Sequence, residues 1–189
     1  MLYVMNSNIS IVSNERTANT CIPATHQRAE NLACLGVKTV LELCVGPSLR
    51  VLEAAYNAFG MSVAGNDIDP RWEKYYPNGK WFIGDARTIP TNGFDAVVVA
   101  PPLSRGCTGT RGDSLSVSEV FPRYTDFLRM NVPVLVLVLP GRTLSLRDDR
   151  AELHELLATC SREGWSGIEV IPLKNKVTKY VDVYLTRQN

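Results

Sequence analysis

Three acids and a proline pair carry the chemistry that this chain can be read to perform. Glu42 lies in Val40-Leu41-Glu42-Leu43-Cys44-Val45-Gly46-Pro47-Ser48, Asp67 in Gly65-Asn66-Asp67-Ile68-Asp69, and Asp85 in Gly84-Asp85-Ala86. A fourth segment runs Phe94-Asp95-Ala96-Val97-Val98-Val99-Ala100-Pro101-Pro102. Each is an apolar or β-branched run that ends in an acid, a glycine or a proline. Parallel strands buried on both faces read this way, and their carboxyl ends face a ligand crevice. Carboxylates at three successive strand ends suit a ligand with several hydrogen-bond donors. Paired prolines at the fourth present backbone carbonyls.

These residues need a scaffold of alternating strands and helices, and the chain supplies one. Pro23 opens a helix over residues 24–35, with Leu32 and Leu35 on one face and Gly36 as its stop. Strands are predicted at 38–44, 62–66, 81–83, 94–100 and 132–139. Helices are predicted at 48–59, from Pro122 to Met130, and at 148–163. Strands at 167–173 and 177–186 close the chain. Their connection, Lys174-Asn175-Lys176, is too short for a parallel crossover, so they run antiparallel. The expected architecture is an α/β three-layer sandwich around a seven-stranded, mostly parallel sheet with an antiparallel last strand. Residues 1–23 form an arm with a short strand near Ile9–Val12, and 24–189 a single domain. Residues 103–120, rich in Gly, Ser, Thr and Arg, form a long loop of the kind that selects or covers a ligand.

Composition sets bounds. The chain has 189 residues, 45% hydrophobic and 21% charged, with a formal net charge of +1. That size holds one sizeable core, and that charge gives no global argument for nucleic acid. Five cysteines, with no Cys-x-x-Cys, argue against a disulfide framework or a zinc site and for the cytoplasm. No signal peptide is visible, and no apolar run spans a bilayer. No metal site is expected, and the oligomeric state is left open.

With these four segments in order, the chain resembles the class I S-adenosylmethionine-dependent methyltransferases over roughly residues 24–189. The resemblance implies a cofactor pocket built from Glu42, Leu43, Cys44, Gly46, Asp67, Ile68, Asp85, Ala86 and Ala100. Glu42 would lie near the methionine amino group and Gly46 would allow close backbone approach. Asp67 would take the ribose hydroxyls and Asp85 the adenine amine, with Ile68 and Ala86 flanking the adenine ring. Pro101, Pro102 and Leu103 would meet the methyl acceptor; no catalytic residue is assigned. The expected acceptor is a nucleic-acid base, RNA ahead of DNA, which would make the activity RNA modification; a protein side chain or a small molecule comes next.

The chain departs from the family pattern at two points. A Gly-x-Gly-x-Gly turn is usual, whereas Cys44-Val45-Gly46-Pro47-Ser48 keeps one glycine. Members that methylate exocyclic amines often carry Asn/Asp-Pro-Pro-aromatic, whereas this chain has Ala100-Pro101-Pro102-Leu103. Both departures favour an alternative, a non-catalytic binding or scaffold protein on the same fold. A nicotinamide-dependent oxidoreductase is a further alternative, opposed by the lack of G-x-G-x-x-G. Arg71, Trp72, Tyr75, Tyr76, Lys80 and Trp81, with Arg105, Arg111, Arg123 and Tyr124, mix basic and aromatic groups as a nucleic-acid surface does. The plainer reading is aromatics over a sheet edge and solvated arginines. Asp69, before Pro70, reads as a helix cap. Cys44 reads as a small core residue, Cys107 as an exposed thiol, and His26 and His154 as structural or solvent-facing.

Overall fold

In a computed structural model, the structure describes residues 9–11, 24–46, 49–76, 79–101, 115–121, 123–140, 143, 147–174 and 179–187. Pro47, Ser48, Pro102, Leu103, Cys107, Arg105 and Arg111 lie outside the described residues, as does the 175–178 connection.

The strands are β1 (Ile9–Ile11), β2 (Thr39–Leu43), β3 (Ser62–Asp67), β4 (Lys80–Ile83), β5 (Ala96–Val99), β6 (Val134–Pro140), β7 (Gly167–Lys174) and β8 (Lys179–Thr186). The helices are α1 (Ala24–Cys34), α2 (Leu49–Asn57), α3 (Val117–Val120), α4 (Tyr124–Leu128) and α5 (Arg147–Arg162), with 3-10 turns at Pro70–Tyr75 and Ala86–Thr88. The sheet order is β1-β7-β8-β6-β5-β2-β3-β4. Only β8 runs antiparallel, to both β6 and β7. The seven-stranded sheet with its reversed last strand is as the sequence predicts. The arm adds an eighth strand, because Ile9–Ile11 pairs in parallel with Ile168–Val170 at the edge.

The side-chain period of two divides the core into two layers. In β6, Val134, Val136 and Val138 join a cluster with Leu32 of α1 and Leu52, Ala55 and Tyr56 of α2. Leu135, Leu137 and Leu139 point the other way, to Val117 of α3, Leu128 of α4 and Leu153, Leu156 and Leu157 of α5. Each such leucine, shut off from water, contributes about 1.5–3 kcal/mol. The sheet therefore carries helices on both faces.

Two local readings change. Leu35 does not share the buried face of Leu32; it sits in the turn after α1 and is 47% exposed. The 103–120 loop ends in a helix, α3, started by a capping box in which Ser116 and Glu119 satisfy each other's backbone N–H. The Ser-x-x-Glu spacing was its signal. The Pro122–Met130 helix appears, among the described residues, as the shorter α4. Asp95 works at the far end of the sheet from the acid-bearing strand ends. Its Oδ2 accepts the N–H groups of Lys38 and Thr39, both at 2.9 Å, and the Thr39 hydroxyl at 3.0 Å, which ties the starts of β2 and β5.

Candidate functional site

The strand order reverses at β2, which pairs with β3 on one side and β5 on the other. A crevice at the carboxyl ends is the expected ligand site of such a sheet. The predicted residues that fall within the described chain stand at or just beyond the carboxyl ends of these strands.

After β2 the backbone turns sharply. Gly46 has φ +57°, and Cys44, at φ +62°, is the non-glycine residue held in the left-handed region among the described residues. Cys44 thus adopts the backbone that a glycine would supply, at a cost of order 1 kcal/mol. A Cβ added to Gly46 would meet nothing within 4 Å.

Asp67 at the end of β3 holds the turn. Its Oδ2 accepts the Gly46 N–H at 2.8 Å, and its Oδ1 accepts the Asp69 N–H at 2.9 Å. The carboxylate is half-buried, so each oxygen keeps a lone pair for an incoming hydroxyl. Beside it Ile68 is 73% exposed and Ile83, paired with Asp67 in register, is 50% exposed. These two apolar side chains stand open at the strand ends, as a flat ring would require.

Asp85 caps the 3-10 turn after β4. Its Oδ1 accepts the Arg87 backbone N–H at 3.0 Å and Nε–H at 2.9 Å, and its Oδ2 accepts from the Arg87 guanidinium. The Arg87 side chain and amide hold the Asp85 carboxyl down at about 2. Ala86 is half-buried against the core.

Glu42 departs from its expected place. It is fully buried and faces the α1–α2 layer. Its Oε1 accepts the Tyr56 hydroxyl and lies 3.9 Å from Arg28 Nη1. Arg28 forks onto Asp182, Nε–H to Oδ2 at 2.7 Å and Nη2–H to Oδ1 at 3.0 Å. Two buried acids share one guanidinium, and Glu42 Oε2 has no partner. Burial pushes the Glu42 carboxyl up to about 7, against the pull of Arg28 and Tyr56. The carboxylate is thus engaged through Oε1 within the chain. Leu43 is likewise fully buried, so its main chain is what it offers; its carbonyl accepts the Ala100 N–H at 3.2 Å. Ala100 and Pro101 are half-buried at the end of β5.

The acids converge on Cys44. Burial first, then the charges of Asp67, Asp85 and Glu42, push its thiol up to about 12, which leaves it an inert thiol rather than a nucleophile. His26 packs its ring on Phe59 at 4.9 Å, and His154 is exposed on α5. Asp69 is the cap of the Pro70–Tyr75 turn. Of the basic and aromatic residues, Tyr76 is buried and donates its hydroxyl to the Val63 carbonyl at 2.9 Å, with Trp81 against it. Arg123 pairs with Asp126. Aromatics over the sheet edge is therefore the better description. Among the described residues no group of three or more His, Cys, Asp or Glu side chains could hold a metal, and no helix is long and apolar enough to cross a membrane.

Sequence reasoning missed Arg28, Tyr56, Asp182 and Arg87. Arg28 had a local signal, since it stands four residues from both Ala24 and Leu32 on the buried face of α1. Arg87 had another: Asp-x-Arg occurs at both Asp69-Pro70-Arg71 and Asp85-Ala86-Arg87.

No protein-family model matches the chain, and no curated protein sequence does. Solved structures match it along most of its length. A chain of the E. cuniculi Mtq2–Trm112 complex, responsible for the methylation of the eRF1 translation termination factor, aligns with TM-score 0.60 and 19% identity, over 87% of this chain and 95% of that one. The fold is that of the class I S-adenosylmethionine-dependent methyltransferases. Two further methyltransferase-fold structures agree. The hMettl16 catalytic domain, solved with a 3′UTR hairpin, aligns with TM-score 0.60 and 14% identity, over 95% of this chain and 76% of that one. The N-methyltransferase NodS from Bradyrhizobium japonicum WM9, solved with S-adenosyl-L-homocysteine, aligns with TM-score 0.53 and 17% identity, over 93% of this chain and 92% of that one. The methyltransferase fold, with β2, β3, β4 and β5 carrying Glu42, Asp67, Asp85 and Ala100 at or just beyond their ends, is the frame in which these residues are to be understood.

Proposed function

We propose that this chain is an S-adenosylmethionine-dependent methyltransferase whose acceptor is a nucleic-acid base, RNA ahead of DNA. One observation carries the cofactor part: Asp67 reaches across to the Gly46 amide while open space lies beside Gly46 and Ile68 stands exposed next to it. A half-exposed carboxylate, a close-approach backbone and an apolar side chain side by side suit a ribose joined to a flat base. The acceptor part is supported by the RNA hairpin on the hMettl16 neighbour.

When bound, the cofactor supplies a methyl group on a positively charged sulfur. The protein's tasks are alignment and exclusion of water. Asp67 accepts the ribose hydroxyls, Ile68 and Ala86 border the adenine, and Asp85 accepts its amine. The Gly46 turn, held by Asp67, lets the cofactor lie against backbone. Ala100 and Pro101, at the end of β5, border the acceptor. No strong base is required, because the leaving group is already activated by its charge.

The test is methyl transfer. The purified chain is incubated with methyl-labelled cofactor and, separately, RNA, duplex DNA and protein from cells. Label in RNA bases is the expected result. Label in protein alone would replace the acceptor, and cofactor binding without transfer to any of them would favour the non-catalytic reading.

A further inference from the structure

We infer that Arg87 is a positioning residue that aims Asp85 at the adenine amine and so sets the selectivity of the pocket for an amino-purine. The inference rests on the cofactor reading above and names a residue that neither the motif nor the strand pattern assigns.

The geometry is a clamp. Arg87 gives Asp85 three N–H groups: its backbone N–H on Oδ1 at 3.0 Å, its Nε–H shared between Oδ1 at 2.9 Å and Oδ2 at 3.2 Å, and the second prong of the guanidinium on Oδ2. The two carboxylate oxygens take about four donors between them, so three N–H groups leave about one acceptor position open. The guanidinium is held from behind as well. Arg87 Nη1 lies 3.8 Å from Asp126 Oδ2 on α4, and Arg123 Nε meets that same oxygen at 3.0 Å. The plane of the carboxylate is therefore set by a fork that is itself braced. A fixed acceptor with a single free lone pair accepts one N–H donor and repels a carbonyl.

The molecule contains its own control. Asp69 and Arg71, after β3, form the same clamp, with the Arg71 backbone N–H on Oδ1 at 3.0 Å and its Nε–H at 2.9 Å. Asp69 stands beyond Asp67 and has no part in the proposed adenine contact.

The experiment is calorimetric titration of the full chain and its variants with S-adenosylhomocysteine and its deaminated form, S-inosylhomocysteine, which carries a carbonyl in place of the amine. The wild type is expected to prefer the adenosyl ligand by about tenfold or more, as for a hydrogen bond to a charged acceptor. Arg87→Ala should cut that preference several-fold by weakening the adenosyl ligand alone. Arg71→Ala should leave it intact. Arg87→Lys keeps the charge and loses the fork, so it should behave like Arg87→Ala. An unchanged preference in both Arg87 variants, or equal losses for both ligands, overturns the inference. Equal binding of the two ligands by the wild type also overturns it and leaves the cofactor pocket standing. Failure of the wild type to bind either ligand removes the cofactor reading, and this inference with it.

Discussion

The Asp67 carboxylate accepts the Gly46 N–H at 2.8 Å and joins the end of β3 to the turn after β2. One side chain thus shapes the turn and presents a half-exposed acceptor to the space beside it. Asp67→Ala removes the acceptor for Gly46 and for Asp69 together. The expected outcome is a folded protein, destabilised by about 1–2 kcal/mol as for a lost cap, with cofactor affinity down by at least about tenfold. Circular dichroism and calorimetric titration on the same sample separate the two effects.

Glu42 predicts a pH dependence. Its ordinary value is 4.5, and burial raises it to about 7 in the folded chain. Below pH 4.5 the group is protonated in both states and the native state keeps its full contribution. As pH rises from 4.5 towards 7 the unfolded chain ionises first, so stability falls, by at most about 3 kcal/mol. Above about 7 this dependence ends. Glu42→Gln should flatten the decline in urea-unfolding free energy between pH 5 and 7, whereas a curve parallel to the wild type would show that Glu42 does not titrate in that window.

Arg28 neutralises a buried pair, and its loss should be severe. Arg28→Met leaves Asp182 and Glu42 buried without a cation, and is expected to cost about 3–5 kcal/mol. Arg28→Met combined with Asp182→Asn should recover part of that loss, because one of the stranded charges goes with it. Chemical denaturation of the single and double variants gives the comparison.

Cys44 should be chemically silent. Burial and the charges of Asp67, Asp85 and Glu42 hold its thiol near 12, while Cys34 is exposed. With iodoacetamide at pH 8, peptide mass spectrometry should find Cys34 alkylated and Cys44 unmodified in the native protein. Early modification of Cys44 would contradict the packed turn.

Much of the fold was legible because its signals are local. The Val-Leu alternation of β6 and the apolar run of β5 declare strands buried on both faces, and the short link after residue 173 dictates the reversed last strand. The acids at 42, 67 and 85 were legible as strand-end residues. Their partners were less so. Arg28 and Asp182 lie 154 residues apart in the chain and meet only once the sheet is assembled. Without that partner, the burial of Glu42 beside Tyr56 and Arg28 was not legible. The left-handed backbone at Cys44 is set by the course of the turn, which a cysteine does not advertise. Leu35 misled because helical spacing was extended one residue past the end of α1, where Gly36 already redirects the chain.

The central claim is that the carboxyl ends of β2, β3 and β4 enclose an adenosine-bearing methyl donor. Calorimetric titration of the purified chain with S-adenosylmethionine, S-adenosylhomocysteine and NAD tests it most directly. The account predicts micromolar binding of the first two at one site per chain, and none of NAD. Absence of binding by all three would contradict it and leave a methyltransferase fold that serves as a scaffold.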